Sequence, residues 1–378
     1  MKQIIYADNA ATTKLDRLAY DAMLPWLLDN FGNPSQPYSL AREPKRALEK
    51  ARVDIAACIN AEPDEIYFTS GGTEGDNFVI KEIGTKQGCV VTSAFEHHAI
   101  LNPCKTLETA NINVGYIMPS STGHIEPTAL KSLLDFPTGL VSIMFANNEI
   151  GTIQPIKELC DIAHSKGWLF HTDAVQAIGH ITIDVKELGV DYLTASAHKF
   201  NGPKGVGFLY IKKGSPITPL LEGGSQEKGV RAGTENIPSI VGMATALKNN
   251  CQNIDDTTHH LTCVEQAFLN ELKSTDLDFV VNGSENKLPG LISISFKDSD
   301  GEMLLHRLDL MGIMVSTGAA CDSKTTQVSH VLKSIGLDEK YAKGTIRISF
   351  GKNNTLGDAK KIAFAIKKIL QQSEQRRG

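Results

Sequence analysis

The stretch Leu140-Val141-Ser142-Ile143-Met144-Phe145-Ala146, followed by Ile156–Lys166 and then Trp168-Leu169-Phe170-His171-Thr172, decides the fold. A short apolar, β-rich run, a helical pattern and a second apolar run make one strand–helix–strand unit. The same alternation repeats outward in both directions. Strands are expected at Glu65–Thr69, Cys89–Ser93, Val114–Met118, Asp191–Ala195 and Gly205–Ile211, with helices at Thr73–Ile83, Ala99–Thr109 and Thr128–Leu134. Such units build an α/β fold with a mostly parallel sheet. Upstream, Arg42–Ala57 reads as one amphipathic helix; downstream, Thr234–Asn249 and Leu261–Lys273 read as helices. After about residue 255 the pattern changes. Short strands at Phe279–Val281, Leu291–Phe296, Ile313–Ser316 and Thr345–Ser349 mix with helices at Glu302–Leu310 and Leu356–Gln371. The expectation is a large α/β domain over residues 15–255 and a smaller α+β domain made of residues 1–14 and 256–378.

Composition bounds the function. A chain of 378 residues suits two domains and can bury a core without disulfide or metal staples. Thirty-eight basic against 43 acidic residues leave a formal charge of −5, with no long block of one sign. That argues against direct nucleic-acid binding and against an anionic membrane surface. No apolar run reaches the ~20 residues that cross a bilayer. An acid at Asp8 comes too early for a secretory signal, so a cytoplasmic protein is expected.

The seven cysteines, Cys58, Cys89, Cys104, Cys160, Cys251, Cys263 and Cys321, are odd in number and scattered without a CxxC pair. Neither a disulfide framework nor a structural zinc site follows from that pattern, and no metal is expected. Most read as small buried hydrophobes. Cys321 differs, because Ser316-Thr317-Gly318-Ala319-Ala320-Cys321-Asp322-Ser323-Lys324-Thr325-Thr326 has no large apolar anchor and reads as an accessible, mobile loop.

Open α/β sheets bind ligands at the carboxyl ends of their strands. The strand at Glu65–Thr69 runs into Ser70-Gly71-Gly72-Thr73-Glu74-Gly75, a turn whose backbone N–H groups and hydroxyls make an anion cradle, or a plain tight turn with a helix cap. Further strands end at Asn147-Asn148-Glu149, at Asp173 with Gln176 after it, and at Ser196-Ala197-His198-Lys199. An amide, an acid and a lysine thus share one rim. A lysine at the end of a buried strand is costly unless its amine is paired, desolvated or covalently used. Such an amine suits Schiff-base chemistry, and an acid on the same rim suits the pyridinium partner of pyridoxal 5′-phosphate (PLP). Singly, Lys199 and Asp173 fit ordinary ion pairs as well; beside an anion cradle, PLP is the better reading. Glu96-His97-His98 follows another strand, and an imidazole stacked on a cofactor ring fits better than a metal, because adjacent side chains point apart.

Together these motifs resemble the NifS/IscS-type cysteine desulfurases, PLP enzymes of fold type I in the class V aminotransferase family. The resemblance covers nearly the whole chain. It is carried by Ala7-Asp8-Asn9-Ala10-Ala11-Thr12-Thr13, Gly32-Asn33-Pro34-Ser35, Phe68–Glu74, Glu96-His97-His98, Asn147–Gly151, His171–Gln176, Ser196–Gly205, Arg231–Thr234, Ser316–Cys321 and Ile346–Ser349. It implies that Lys199 carries PLP as a Schiff base and shuttles protons. Asp173 would pair with the ring nitrogen and Gln176 with the phenolic oxygen, and His97 would stack on the ring and take part in proton transfer. Gly72, Thr73, Ser196 and His198 would hold the phosphate, with Thr234 arriving from the partner of a homodimer. Arg347 would bind the substrate carboxylate, with Asn148 beside it. Cys321 would take sulfur from L-cysteine, leaving L-alanine, and pass it to an acceptor protein such as an iron–sulfur scaffold or a tRNA-thiolation protein. The spacing from Cys321 to Ser329-His330-Val331-Leu332 resembles the long-loop branch.

Some positions depart from the family pattern. Tyr38 and Ala41 stand where a His and a Gly are common, and Lys352 where a second Arg is frequent. Asp322 beside the nucleophile disfavours its thiolate, while Lys324 offsets that. The competing readings are a PLP aminotransferase, a selenocysteine lyase-like enzyme and a non-catalytic sulfur-transfer scaffold. Cys321 argues against the first and the set Lys199, Asp173 and His97 against the last.

Overall fold

The computed structural model describes residues 4–219, 221–318 and 328–374. Among them the strands are β1 (Ile5–Tyr6), β2 (Ile66–Thr69), β3 (Cys89–Ser93), β4 (Asn113–Ile117), β5 (Leu140–Ser142), β6 (Leu169–Asp173), β7 (Tyr192–Ser196), β8 (Gly207–Ile211), β9 (Phe279–Asn282), β10 (Leu291–Phe296), β11 (Ile313–Met314) and β12 (Thr345–Ser349). Seven form one sheet in the order β2-β8-β7-β6-β5-β3-β4. Its inner pairs are parallel, and β8 alone runs against its neighbours β2 and β7. Strands β3, β5, β7 and β8 are buried at every position, which is why their sequences read as continuous apolar runs rather than alternations. The expected α/β architecture is therefore the observed one.

The chain passes from β3 outward to β4, then crosses back to β5 on the other side of β3. That reversal creates a crevice at the carboxyl ends of β3 and β5, the place where such sheets hold ligands. A separate antiparallel sheet, β12-β10-β9, and a parallel pair, β1-β11, lie later in the fold. Their apolar faces share a core with the helices Ile254–Lys273 and Leu356–Glu374 through Val264, Phe268, Ile346, Ile362 and Ile366. Ile5 and Ala7 join that core from the far end of the sequence.

Several boundaries move for identifiable reasons. The strand expected over Leu140–Ala146 stops at Ser142. Beyond it the Met144 N–H turns to the Glu96 carboxylate, at 3.0 and 3.1 Å, instead of to β3. The helix expected from Thr234 begins at Ile237, with Pro238 in its first turn and Asn236 capping Ser239 N at 3.2 Å. Thr234 therefore stays outside it. The helix expected from Leu261 begins at Ile254, and Asp255 and Asp256 in its first turn complement the helix dipole. The cysteines divide as well: Cys89, Cys104 and Cys160 are buried, Cys58 and Cys251 half-buried, and Cys263 exposed.

Candidate active site

The N-terminal segment crosses from one core to the other and builds one wall of the crevice. Ala10 N donates to Ser349 Oγ at 2.9 Å, and Thr13 donates to the His198 carbonyl from N at 2.9 Å and from Oγ1 at 2.8 Å. This places the carbonyls of Ala10 and Ala11 over the end of β7. There Lys199 Nζ donates to both, at 2.5 and 2.9 Å. Gln176 Nε2 donates to the same Ala10 carbonyl at 2.9 Å.

The crevice is a cavity of about 270 Å³. The turn after β2 contributes Gly72 and Thr73 to its lining, and the loop after β3 contributes His97. Asn148 follows β5, and Asp173 and Gln176 come from the end of β6. Ser196, His198 and Lys199 come from the end of β7, and Arg347 from β12. Ten side chains or backbone positions expected from sequence thus meet in one space. Thr234 does not: it is exposed and lies outside the cavity lining. Cys321 lies outside the described residues, and so do Asp322 and Lys324; the described chain on that side meets the cavity at Gly318. Of the departures, Tyr38 is exposed, Ala41 is buried, and Lys352 pairs with Asp16.

The electrostatics follow from burial. Asp173 is pushed up to about 6 because its charge is desolvated, against the Val175 N–H at 2.9 Å and Lys199, which favour the anion. His97 is pushed down to about 4, first by burial and then by Lys199. Its Nδ1 accepts from Ala99 N at 3.1 Å, so the neutral ring carries its proton on Nε2. His198 also falls to about 4 through burial and Lys199. Arg347 is buried; Nη2 donates to Asp8 Oδ1 at 2.8 Å and Nη1 to the Asn148 carbonyl at 2.9 Å. Its Nε is buried with no hydrogen-bond partner among the described residues.

Three features of the site escape sequence reasoning. The carbonyls of Ala10 and Ala11 and the Asp8 carboxylate come from a segment that carried family resemblance but no assigned role. Asp76, also on the lining and fully buried, sits three residues beyond Thr73 in the same helix. An acid in the first turns of a helix looks ordinary in sequence; its burial is what sets it apart.

The sequence model of the family "Aminotransferase class-V" matches residues 5–362. A "Cysteine desulfurase IscS" of Dictyoglomus turgidum is 46% identical over 376 residues, covering 98% of this chain and 95% of that protein. A "Cysteine desulfurase IscS" of Methanosarcina thermophila is 43% identical, covering 97% and 92%. A solved structure described as a NifS-like protein superimposes with a TM-score of 0.91 at 37% identity, covering 98% of this chain and all of its own. A cavity built at the carboxyl ends of a parallel sheet, around a lysine, an acid, a histidine and an arginine, on a chain that aligns end to end with these relatives, places the protein in the class-V aminotransferase family, in its IscS-type cysteine desulfurase branch.

Proposed function

We propose that this chain removes sulfur from L-cysteine, with PLP as cofactor, leaving L-alanine and a persulfide on Cys321. The observation that carries the proposal is the convergence of the ten expected residues on one cavity, in a chain whose relatives are named cysteine desulfurases. The cavity's own chemistry fits PLP. Gly72 forms a cradle that a Cβ would fill, since one would lie 2.7 Å from Val175 Cγ2. Beside it stand the hydroxyls of Thr73 and Ser196, then an amine at Lys199 and a buried acid at Asp173. A molecule with a phosphate, an aldehyde and a ring nitrogen would find a partner for each.

PLP, when bound, supplies the electron sink that makes the Cα–H of an amino acid acidic. Everything else falls to the chain. Gly72, Thr73, Ser196 and His198 would hold the phosphate, and Gln176 the phenolic oxygen. Asp173 would face the ring nitrogen and, when ionised, would favour its protonated form. Arg347 orients the substrate by its carboxylate, using the N–H groups that Asp8 and Asn148 leave unengaged, Nε among them. Lys199 Nζ takes and returns the Cα proton. His97, neutral at working pH, supplies a proton from Nε2. The Cys321 thiolate attacks the substrate sulfur, forming the S–S bond of the persulfide. The electrons of the broken C–S bond stay with carbon, which takes up protons to become alanine. An acceptor protein, either an iron–sulfur scaffold or a tRNA-thiolation protein, then receives the sulfur by thiol exchange.

A homodimer completes the proposal. Leu18, Leu24, Leu27, Leu28, Phe31 and Leu40 are exposed over one short stretch, with Leu28 at 81% and Phe31 at 71%. Apolar exposure of that extent marks an interface. Exposed Thr234 then reaches the partner's phosphate, on a loop anchored by Arg231 to Glu74 at 2.9 and 3.2 Å. The division into a large PLP-binding unit and a smaller unit split at about residue 255 belongs to the same proposal. None of the described helices is long and apolar enough to cross a membrane, and a cytoplasmic, reducing setting suits a persulfide carrier.

The test is turnover of L-cysteine with alanine and sulfide both quantified, with and without a reductant. Equal alanine and reductant-released sulfide are expected. A keto acid in place of alanine would overturn the proposal in favour of transamination.

A further inference from the structure

Glu149 follows Asn148 directly and is buried, yet the proposed chemistry gives it no task. Its backbone is fixed by the neighbouring amide: Asn147 Oδ1 accepts from Glu149 N at 2.8 Å and from Ile150 N at 3.0 Å. Its carboxyl group then meets both flanks of the segment that carries Cys321. On the far flank, Ser329 Oγ donates to Glu149 Oε2 at 2.6 Å. The same hydroxyl accepts from Val331 N at 3.1 Å and so caps the helix His330–Ser334. On the near flank, a Cβ at Gly318 would lie 2.2 Å from Glu149 Oε2 and 2.8 Å from its Cδ. The Gly318 backbone is not left-handed, so glycine is required there for space rather than for conformation. Burial and the Ser329 hydrogen bond hold the carboxyl oxygen against it.

Each flank is also tied to the substrate side of the cavity. Ser316 and Arg347 exchange backbone hydrogen bonds at 3.0 and 2.6 Å. Arg347 Nη1 donates to the Asn148 carbonyl at 2.9 Å, on the peptide that leads into Glu149. His330 Nε2 donates to the Glu96 carbonyl at 2.9 Å, and its ring lies 4.9 Å from that of His98. Arg347 and both roots of the Cys321 segment therefore share one framework, joined at the Glu149 carboxyl group. Gly318 itself lines the cavity, and Cys321 follows it by three residues. Three residues reach at most about 10 Å, so where Gly318 is held bounds the distance from thiol to substrate.

We propose that Glu149 is a positioning residue whose carboxyl group pins both roots of the Cys321 segment, at Gly318 and at Ser329, and so keeps the thiol within reach of the substrate sulfur. Attack on sulfur is sensitive to placement, since a displacement of about 1 Å can cost about a hundredfold in rate. The pin stands on the apoprotein; its effect on sulfur transfer rests on the desulfurase reading above.

Hydrogen–deuterium exchange of the apoprotein tests the pin without turnover. Glu149→Ala should speed exchange about tenfold on both flanks, over residues 313–318 and 328–334, and leave β6 and β7 unchanged. Acceleration on one flank only, or on neither, would overturn the proposal. An equal rise in β6 and β7 would mark a merely structural residue and overturn it as well. In the PLP-loaded enzyme, the absorbance change on mixing with L-cysteine should keep its midpoint within about twofold, while alanine formation falls about tenfold. Alanine formation at the wild-type rate would overturn the positioning role. Gly318→Ala should reproduce both effects by displacing the Glu149 carboxyl group. Combined with Glu149→Ala it should add nothing, and additive losses would refute the shared contact. Should Glu149→Ala fail to fold, Gly318→Ala carries the exchange comparison alone. If the wild type makes no alanine, the desulfurase reading fails while the exchange result still judges the pin.

Discussion

Gly72→Ala separates the packing of the cofactor cradle from its chemistry. Gly72 begins the helix Gly72–Phe78 with helical backbone, so alanine meets no conformational penalty there. Its Cβ, however, would lie 2.7 Å from Val175 Cγ2, while the next atoms, Ser196 Cβ at 3.7 Å and Thr194 Cγ2 at 3.9 Å, are ordinary contacts. One atom takes the whole clash. Val175 is β-branched and stiff at χ1, and its N–H holds Asp173 Oδ1 at 2.9 Å. Relief by moving Val175 therefore shifts Asp173, the acid proposed to face the ring nitrogen. Overpacking of this kind costs about 1–3 kcal/mol, which weakens PLP binding roughly 5- to 150-fold. The assay is titration of the apoprotein with PLP, following the Schiff-base absorbance. The double variant Gly72→Ala, Val175→Ala removes the opposing methyl and should recover most of the loss. A double variant no better than Gly72→Ala alone, or a Gly72→Ala that binds PLP like the wild type, would refute the steric argument.

Other consequences can be checked independently. Lys199→Ala should lose the yellow Schiff-base colour, and Cys321→Ser should keep it but stop sulfide release; a Cys321→Ser enzyme of unchanged activity would move the nucleophile elsewhere. Half-buried Arg52 and buried Glu227 form a bidentate pair at 2.8 and 2.7 Å, with Glu227 also accepting from Phe68 N at 2.9 Å. Glu227→Ala leaves a half-buried guanidinium without its carboxylate, held by the Ile66 carbonyl, and should cost about 1–3 kcal/mol in urea unfolding; adding Arg52→Met should recover part of that, and strictly additive losses would contradict the pairing. His97, His171 and His198 are all held neutral below their ordinary value. On their account alone the unfolded chain binds more protons and stability falls as pH drops from about 6.5 towards 4, while Glu96 and Asp173, pushed up to about 8 and about 6, act in the opposite sense. NMR titration of the three imidazoles is the check, and one that titrates near its ordinary value in the folded protein would contradict its burial. Light scattering should give a dimer, and a fully active monomer would refute the role given to Thr234.

Much of this protein is legible in its sequence because the relevant forces are local. Apolar runs of strand length separated by helical patterns are read directly, and they specify a mostly parallel sheet whatever the remaining chain does. The residues at strand ends follow from the same reading, which is why Asp173, Ser196 and Lys199 can be named before any coordinates. What sequence misreads is also local in origin. Glu96 looks like a loop acid until its carboxylate takes the Met144 N–H and ends a strand early. Asn236 and Pro238 move a helix start past Thr234.

The long-range arrangement belongs to tertiary structure alone. Nothing in Ala10 or Ala11 marks their carbonyls as the anchor of a lysine 189 and 188 residues away, or Asp8 as the partner of an arginine 339 residues away. Those contacts depend on an N-terminal segment pinned between two cores. Asp76 makes the same point in energetic terms. Its identity is a matter of sequence, but complete burial, and after it the Asp173 charge, pushes its carboxyl well above the usual range, and only a folded chain can take it out of water.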